Sequence, residues 1–185
     1  MILLHDVSCA YDGKAVLQNL NLAFPQIGAV ALTGPSGTGK TTLLKLLAGL
    51  ITPVSGHVEG LNGKRVSMVF QEDRLLPWRT ALENVALFCG DERLARETLV
   101  RLELSDALDK RPSELSGGMK RRVALARALC YGGDILLLDE PFKGLDDALK
   151  IRVAKQVKGA FPLTVLATHD MAEAGLLGAV QRVEL

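Results

Sequence analysis

Charge of one sign is what this sequence lacks first: 22 Lys and Arg stand against 21 Asp and Glu, a formal net charge of +1. A near-neutral chain offers no overall field to draw in nucleic acid or an anionic membrane, so no nucleic-acid partner is expected. Cysteine is scarce as well. The three present, Cys9, Cys89 and Cys130, are scattered, odd in number and without a Cys-x-x-Cys spacing. That argues against a disulfide framework or a cysteine zinc site and suits a reducing cytosol, with all three as small buried apolar residues. No apolar run approaches the roughly 20 residues that span a bilayer. The opening "MILLHDVSCAYDG" has no basic start and does not read as a signal peptide. A soluble chain is expected, meeting any membrane only through a partner. Repeats, low-complexity tracts and long linkers are missing too, and 185 residues suit a single domain with a sizeable core.

What is there alternates. Ile2 to Ser8 and Ala15 to Phe24 are rich in strand formers around a "YDGK" turn, and "AVALTG" is a buried-strand run. "KTTLLKLLAGL" reads as a helix closed by Gly49, and "RVSMVF" as a further strand. From about Ala81 to Tyr131 the character turns helical; in "DERLARETLVRLEL" Leu94, Thr98, Leu99 and Leu102 share one side. "DILLLDE", "LTVLATHD" and "AVQRVEL" are strands separated by the helices "DDALKIRVAKQVKGAF" and "MAEAGLL". Buried strands alternating with helices imply an α/β fold with a mostly parallel core sheet. An antiparallel β layer lies at one edge, and the helical stretch is a short insertion. The expected organisation is one domain over 1–185, with 1–80 and 132–185 as core and about 81–131 as helical arm.

Two stretches have the design of anion sites. "GPSGTGKT" fits G-x-x-x-x-G-K-[ST] in full, after a strand and before a helix, as in P-loop NTPases. Gly34, Gly37 and Gly39 let the backbone curl so that its N–H groups face phosphate, with Pro35, Ser36, Thr38 and Thr42 completing the loop. Lys40 supplies positive charge to β and γ phosphates, and Thr41 a hydroxyl for Mg²⁺. The second stretch is "ELSGGMKRRVALARALCYGG", where Ser116 caps a helix opened by Gly117 and Gly118. "ILLLDE" adds Asp139 and Glu140 at a strand's carboxyl end, where open α/β sheets hold ligands. Asp139 suits Mg²⁺ and Glu140 suits a water-polarising base, although an apolar strand ending in acids is common by itself.

Taken together and in order, these elements resemble an ABC-type ATPase over essentially the whole chain. Tyr11 matches the adenine-stacking aromatic, Gly34 to Thr42 the Walker A loop and Gln71 in "VFQED" the Q-loop. "LSGGM" matches the signature, "ILLLDE" Walker B, "GLDD" the D-loop and His169 the switch histidine. The resemblance implies that Gln71 contacts Mg²⁺ and the attacking water and senses a membrane partner. It implies that His169 contacts the γ phosphate with Glu140, and that Asp146 reaches across a dimer interface. Read singly, Gln71 also fits a strand-end polar residue, His169 a helix cap, Asp146 an N-cap and Tyr11 a turn aromatic. His5 and His57 match no motif and are expected to be structural.

Within the family, "VFQEDRLLPWRTALENVAL" resembles importer ATPases of the nitrate, sulfonate and taurine group, which also takes in pyrimidine-precursor uptake. There Trp78, the one tryptophan, lies in the segment facing the permease; packing of the helical arm is the plainer alternative. The insertion is shorter than usual in that group, and Lys143-Gly144 stand where Gly-Ala is frequent. The implied protein hydrolyses ATP·Mg²⁺ as a head-to-tail homodimer at the inner face of the cell membrane, driving a separate permease served by a solute-binding protein. The alternative is a non-transport ABC ATPase in DNA maintenance or on ribosomes. Long coiled coils, tandem cassettes and basic charge would mark those, and none appears.

Overall fold

The computed structural model describes residues 1–185. Strands β1 (Ile2–Tyr11), β2 (Lys14–Phe24) and β4 (Ser55–Glu59) form an antiparallel sheet in the order β2-β1-β4. The β1–β2 turn is tighter than the sequence suggests. Tyr11 pairs with Lys14, and Asp12 and Gly13 alone turn the chain, at φ 49° and 76°. Both values lie in the left-handed region that an Asp-Gly hairpin turn uses.

The second sheet is parallel throughout. Its order is β5 (Val66–Val69), β6 (Ile135–Asp139), β7 (Leu163–Ala167), β3 (Gly28–Thr33) and β8 (Ala179–Glu184). Alternation along these strands feeds two cores. Ile135, Leu137, Leu163 and Val165 face helix α1 (Lys40–Leu47) and the inner side of the antiparallel sheet, where Leu4, Val7, Leu17 and Phe24 are buried. Leu136, Leu138 and Leu166 face the opposite way, toward α2 (Ala81–Cys89), α3 (Glu92–Arg101), α4 (Gly117–Tyr131), α5 (Asp147–Val157) and α6 (Met171–Leu177). The antiparallel layer is therefore a sheet of its own, joined to the parallel one through α1. A strand buried on both faces has to be apolar along its length, as Ile135 to Leu138 are before the site residue Asp139.

Two local expectations change. In α3 the buried residues are Ala95, Thr98 and Leu99, while Leu94 is exposed. Asp91 caps the helix through Leu94 N at 3.0 Å, and the buried stripe Ala95, Thr98, Leu99, Leu102 follows the i, i+3, i+4, i+7 spacing without Leu94. Cys89 and Cys130 are joined as a disulfide, with Cα atoms 5.5 Å apart. Their separation of 41 residues carries no hint of this; the closing ends of α2 and α4 bring them together. Cys9 is free and buried, as expected.

Candidate nucleotide site

The first anion loop runs from the end of β3 into α1. Gly34, Gly37 and Gly39 have φ of 138°, 87° and 102°, values that side-chain-bearing residues rarely adopt. A Cβ on Gly39 would lie 2.6 Å from Leu17 Cδ2, so this glycine is also required by the close passage of β2. Lys40 Nζ donates to the carbonyls of Gly34 and Pro35, each at 2.7 Å, and so lies curled over its own loop. Thr38 Oγ1 closes the loop on Pro35 O at 3.0 Å.

A cavity of about 220 Å³ opens on this loop. Ser36, Gly37, Gly39, Lys40, Thr41 and Thr42 line it together with Val16, Gln71, Asp139 and Glu140. Larger hollows of about 520 and 450 Å³ exist elsewhere, but neither is lined by a carboxylate or by the phosphate loop. Chemistry, not volume, selects the smaller one. Inside it Thr41 Oγ1 donates to Asp139 Oδ2 at 2.8 Å. Asp139 is buried, and burial pushes its carboxyl above the ordinary range despite that hydrogen bond. A hydroxyl and a carboxylate oxygen so close, beside a phosphate loop, fit the oxygen-only preference of Mg²⁺.

Glu140 follows β6 with φ 50°, a left-handed conformation uncommon for a residue with a side chain. Strained backbone of this kind gathers at functional sites. Here it accompanies a carboxylate whose Oε1 lies 2.9 Å from His169 Nδ1. The hydrogen bond and the charge of Glu140 raise the pKa of His169, which is otherwise well exposed. His169 is not a helix cap: Asp170 caps α6, accepting from Ala172 N at 2.8 Å. Behind it Thr168 Oγ1 donates to buried Glu173 at 2.6 Å, and Lys150 Nζ lies 3.7 Å from the same carboxylate.

The remaining candidates lie outside the cavity. Ser116 caps α4, accepting from Met119 N at 3.3 Å. Gly118 packs on the loop before α5: a Cβ there would be 3.1 Å from Leu145 and 3.2 Å from Gly144 O. Asp146 caps α5 through Leu149 N at 2.9 Å. Tyr11 stands exposed at the β1–β2 turn. The cavity thus holds one anion loop and leaves the other out.

Sequence reasoning overlooked the arginines that connect the two. Arg121, on the first turns of α4, is buried and donates to Phe70 O (2.5 Å), Asp73 Oδ1 (3.2 Å), Pro141 O (3.2 Å), Glu140 O (2.6 Å) and Asp139 O. Arg127 donates to Asp73 O at 2.9 Å and Arg74 O at 2.8 Å. The signal was a basic residue at an inward position of a helix beginning at Ser116. Asn84 was overlooked as well. It is fully buried and bonds Leu76 N and O, Arg79 O and Thr80 O. Thr80 and Glu83 form a capping box beside it. Together they clasp the loop on which Trp78 stands 66% exposed, which explains why Thr and Asn accompany "PW" in this segment.

The profile of the ABC transporter family matches residues 17–143. The chain belongs to this family. It is a nucleotide-binding ATPase of the ABC type. It is 46% identical over 176 residues to the aliphatic sulfonates import ATP-binding protein SsuB 1 of Rhodococcus jostii, covering 90% of this chain and 72% of that one. It is 42% identical over 184 residues to the SsuB protein of Granulibacter bethesdensis, covering 96% and 76%. Among solved structures, the dimeric bacterial ABC transporter cassette MJ0796 superposes with a TM-score of 0.91 at 30% identity, over 100% of this chain and 94% of that one. The dimeric post-hydrolysis state of the same cassette, bound to ADP and Pi, gives 0.89 at 29%, with the same coverage.

Proposed function

We propose that the protein is the ATP-hydrolysing subunit of an importer for aliphatic sulfonates, working as a homodimer on a separate membrane permease fed by a solute-binding protein. The observation that carries the reading is the cavity that holds Lys40, Thr41, Gln71, Asp139 and Glu140 but none of Ser116, Gly117 or Gly118. A loop with helix-start N–H groups that lies outside its own chain's phosphate cavity suits a γ phosphate held by a second chain. The dimeric cassettes with this fold support that arrangement, as do the sulfonate-import names of the relatives for the transported class.

In this reading 1–80 and 132–185 form the nucleotide core of one domain and about 81–131 its signature-bearing arm. Tyr11 stacks on adenine, and the backbone of Gly34 to Thr42 wraps the phosphates. Lys40 leaves its own carbonyls for β- and γ-phosphate oxygens, exchanging neutral acceptors for charged ones. Mg²⁺, where bound, would be held by Thr41, Asp139 and Gln71 and would supply positive charge to the phosphate oxygens. Glu140 takes the proton of the attacking water as its oxygen bonds to Pγ and the bond to the β-phosphate oxygen breaks. His169 holds the γ phosphate and keeps the Glu140 carboxylate aimed. Ser116, Gly117 and Gly118 of the second chain complete the oxyanion cage, and Asp146 meets the dimer seam.

The coupling face is supported by a mostly apolar hollow of about 450 Å³ lined by Leu50, Phe70, Arg74, Phe88, Arg127 and Tyr131. Phe70 there adjoins Gln71 in sequence, so pressure from a permease helix has a short route to the cavity. Such docking places the chain at the inner face of the membrane; no helix of its own is long and apolar enough to cross one. The test is Glu140→Gln. ATP binding should stay within about threefold, hydrolysis should fall by roughly 100-fold or more, and an ATP-bound dimer should accumulate on size exclusion. Robust turnover by this variant overturns the base assignment.

A further inference from the structure

On the antiparallel sheet, far in topology from the phosphate loop, two histidines and a glutamate converge. His5 of β1 sits directly opposite His57 of β4, the edge strand. Glu59 lies two residues beyond His57 and so on the same face, because strand side chains alternate. Their neighbour Leu4 points the other way, into the core, and the three side chains share the outer face. The imidazoles stack with centroids 4.9 Å apart and planes 22° from parallel. Gly56, at φ 77°, permits this approach: a Cβ there would collide with the carbonyl oxygens of His5 and Asp6.

One atom of the group is unsettled. His5 Nε2 is closed off from solvent and has no hydrogen-bond partner, although its ring is partly exposed. A polar nitrogen shut away without a partner costs about 1–3 kcal/mol. Glu59 Oε2 lies 3.8 Å from it, too far for a hydrogen bond, and Glu59 Oε1 lies 3.1 Å from His57 Nε2. One donor atom from each residue falls within 4.8 Å of the others. Ligands about 2.1 Å from a tetrahedral zinc are roughly 3.4 Å apart. The two measured separations run to different oxygens of Glu59, so the side chains must turn to bring one donor from each residue onto a shared ion.

We propose that His5, His57 and Glu59 bind one Zn²⁺ across β1 and β4, leaving its fourth position to water. Two imidazoles and one carboxylate are a borderline-soft donor set, which suits zinc and disfavours Mg²⁺ and Ca²⁺. Binding gives His5 Nε2 its missing partner and pins the short edge strand to the strand that ends at Tyr11. No carboxylate or hydroxyl of the nucleotide cavity takes part.

The test is calorimetric titration of the metal-stripped, full-length protein with Zn²⁺, repeated with Co²⁺ as a spectroscopic probe. The wild type should take up one equivalent, and the cobalt form should show the intense visible absorption of tetrahedral coordination. His5→Ala, His57→Gln and Glu59→Gln should each weaken binding at least tenfold and lose the cobalt bands. All three positions are at least partly exposed, so folding should survive; unchanged far-ultraviolet dichroism checks it. Absence of zinc binding in the wild type overturns the proposal. So does a stoichiometry that the His5→Ala, His57→Gln double variant leaves intact, which would locate the ion elsewhere, at His169 or Cys9.

Discussion

The two glycine-rich loops share a chemistry and differ in their surroundings. The loop at Gly34 to Thr42 comes with its own cation, two carboxylates and a glutamine, all lining one cavity. The loop at Ser116 to Gly118 has none of these; it is capped by its own serine and packed on Leu145 and Gly144. A phosphate on the first loop would meet a lysine, a hydroxyl, two carboxylates and a glutamine within one chain. A phosphate on the second meets only N–H dipoles and a hydroxyl. The difference teaches that neither loop is a complete catalytic site. In the proposed mechanism, binding resides in the first, and the last donors for the transition state reside in the second.

The strongest break of this comparison is a pair of substitutions with the same effect on turnover and opposite effects on binding. Ser116→Arg places a long cation where the partner's γ phosphate should enter. Hydrolysis should fall by about 100-fold or more, since even one missing oxyanion donor costs that much. Fluorescent-nucleotide binding should stay within about threefold, while ATP no longer yields a dimer by light scattering. Lys40→Ala should lose hydrolysis as well, but with nucleotide binding weakened by at least tenfold. If Ser116→Arg still dimerises with ATP, the shared-site reading fails.

The link between the loops is the next target. Arg121 starts in the signature helix and ends on the carbonyls of Phe70, Pro141, Glu140 and Asp139. Methionine in its place would fill much of the volume but leave these buried acceptors and Asp73 unpaired. A loss of about 3 kcal/mol or more is expected from urea unfolding, because stranding buried polar groups costs more than their bonds contribute. Arg121→Lys should recover only part, lacking the planar fork that reaches several carbonyls at once. A methionine variant as stable as the wild type would mean that water replaces the guanidinium.

How far each region was legible in the sequence follows from the range of its interactions. The phosphate loop announces itself because its glycines, lysine and threonine are consecutive and answer to one local geometry. "ILLLDE" was legible for a similar reason: a strand buried on both faces cannot be polar until it ends. The rest depended on distant segments. Arg121 reaches residues 18 to 51 positions away, so its role is invisible in "MKRRVAL". Cys89 and Cys130 meet only once α2 and α4 have packed. His5 and His57 become a pair through strand register, which no motif records. Leu94 was misplaced because the buried stripe of α3 runs through Ala95, Thr98, Leu99 and Leu102, at i, i+3, i+4 and i+7, and leaves Leu94 one position off it.

The smallest expected effect concerns a charge that the nucleotide side carries and the signature loop does not. Burial raises the carboxyl of Glu173 above its ordinary value of 4.5, outweighing the hydrogen bond from Thr168 and the charge of Lys150. An acid whose folded pKa lies above its unfolded one binds more protons when folded. Its contribution to stability is therefore complete below about pH 4.5 and is lost as pH rises through the raised value. Glu173→Gln keeps the shape and an acceptor for Thr168 but cannot ionise. The stability difference between the two proteins, followed by urea unfolding in a pH series, should move in favour of the variant from pH 4.5 upward and level off once Glu173 is ionised. Groups common to both proteins, Asp139 included, cancel in that difference. A flat difference would mean that Lys150, 3.7 Å away, compensates the buried charge in full, and that the pocket behind His169 tolerates an ion as readily as the open cavity in front of it.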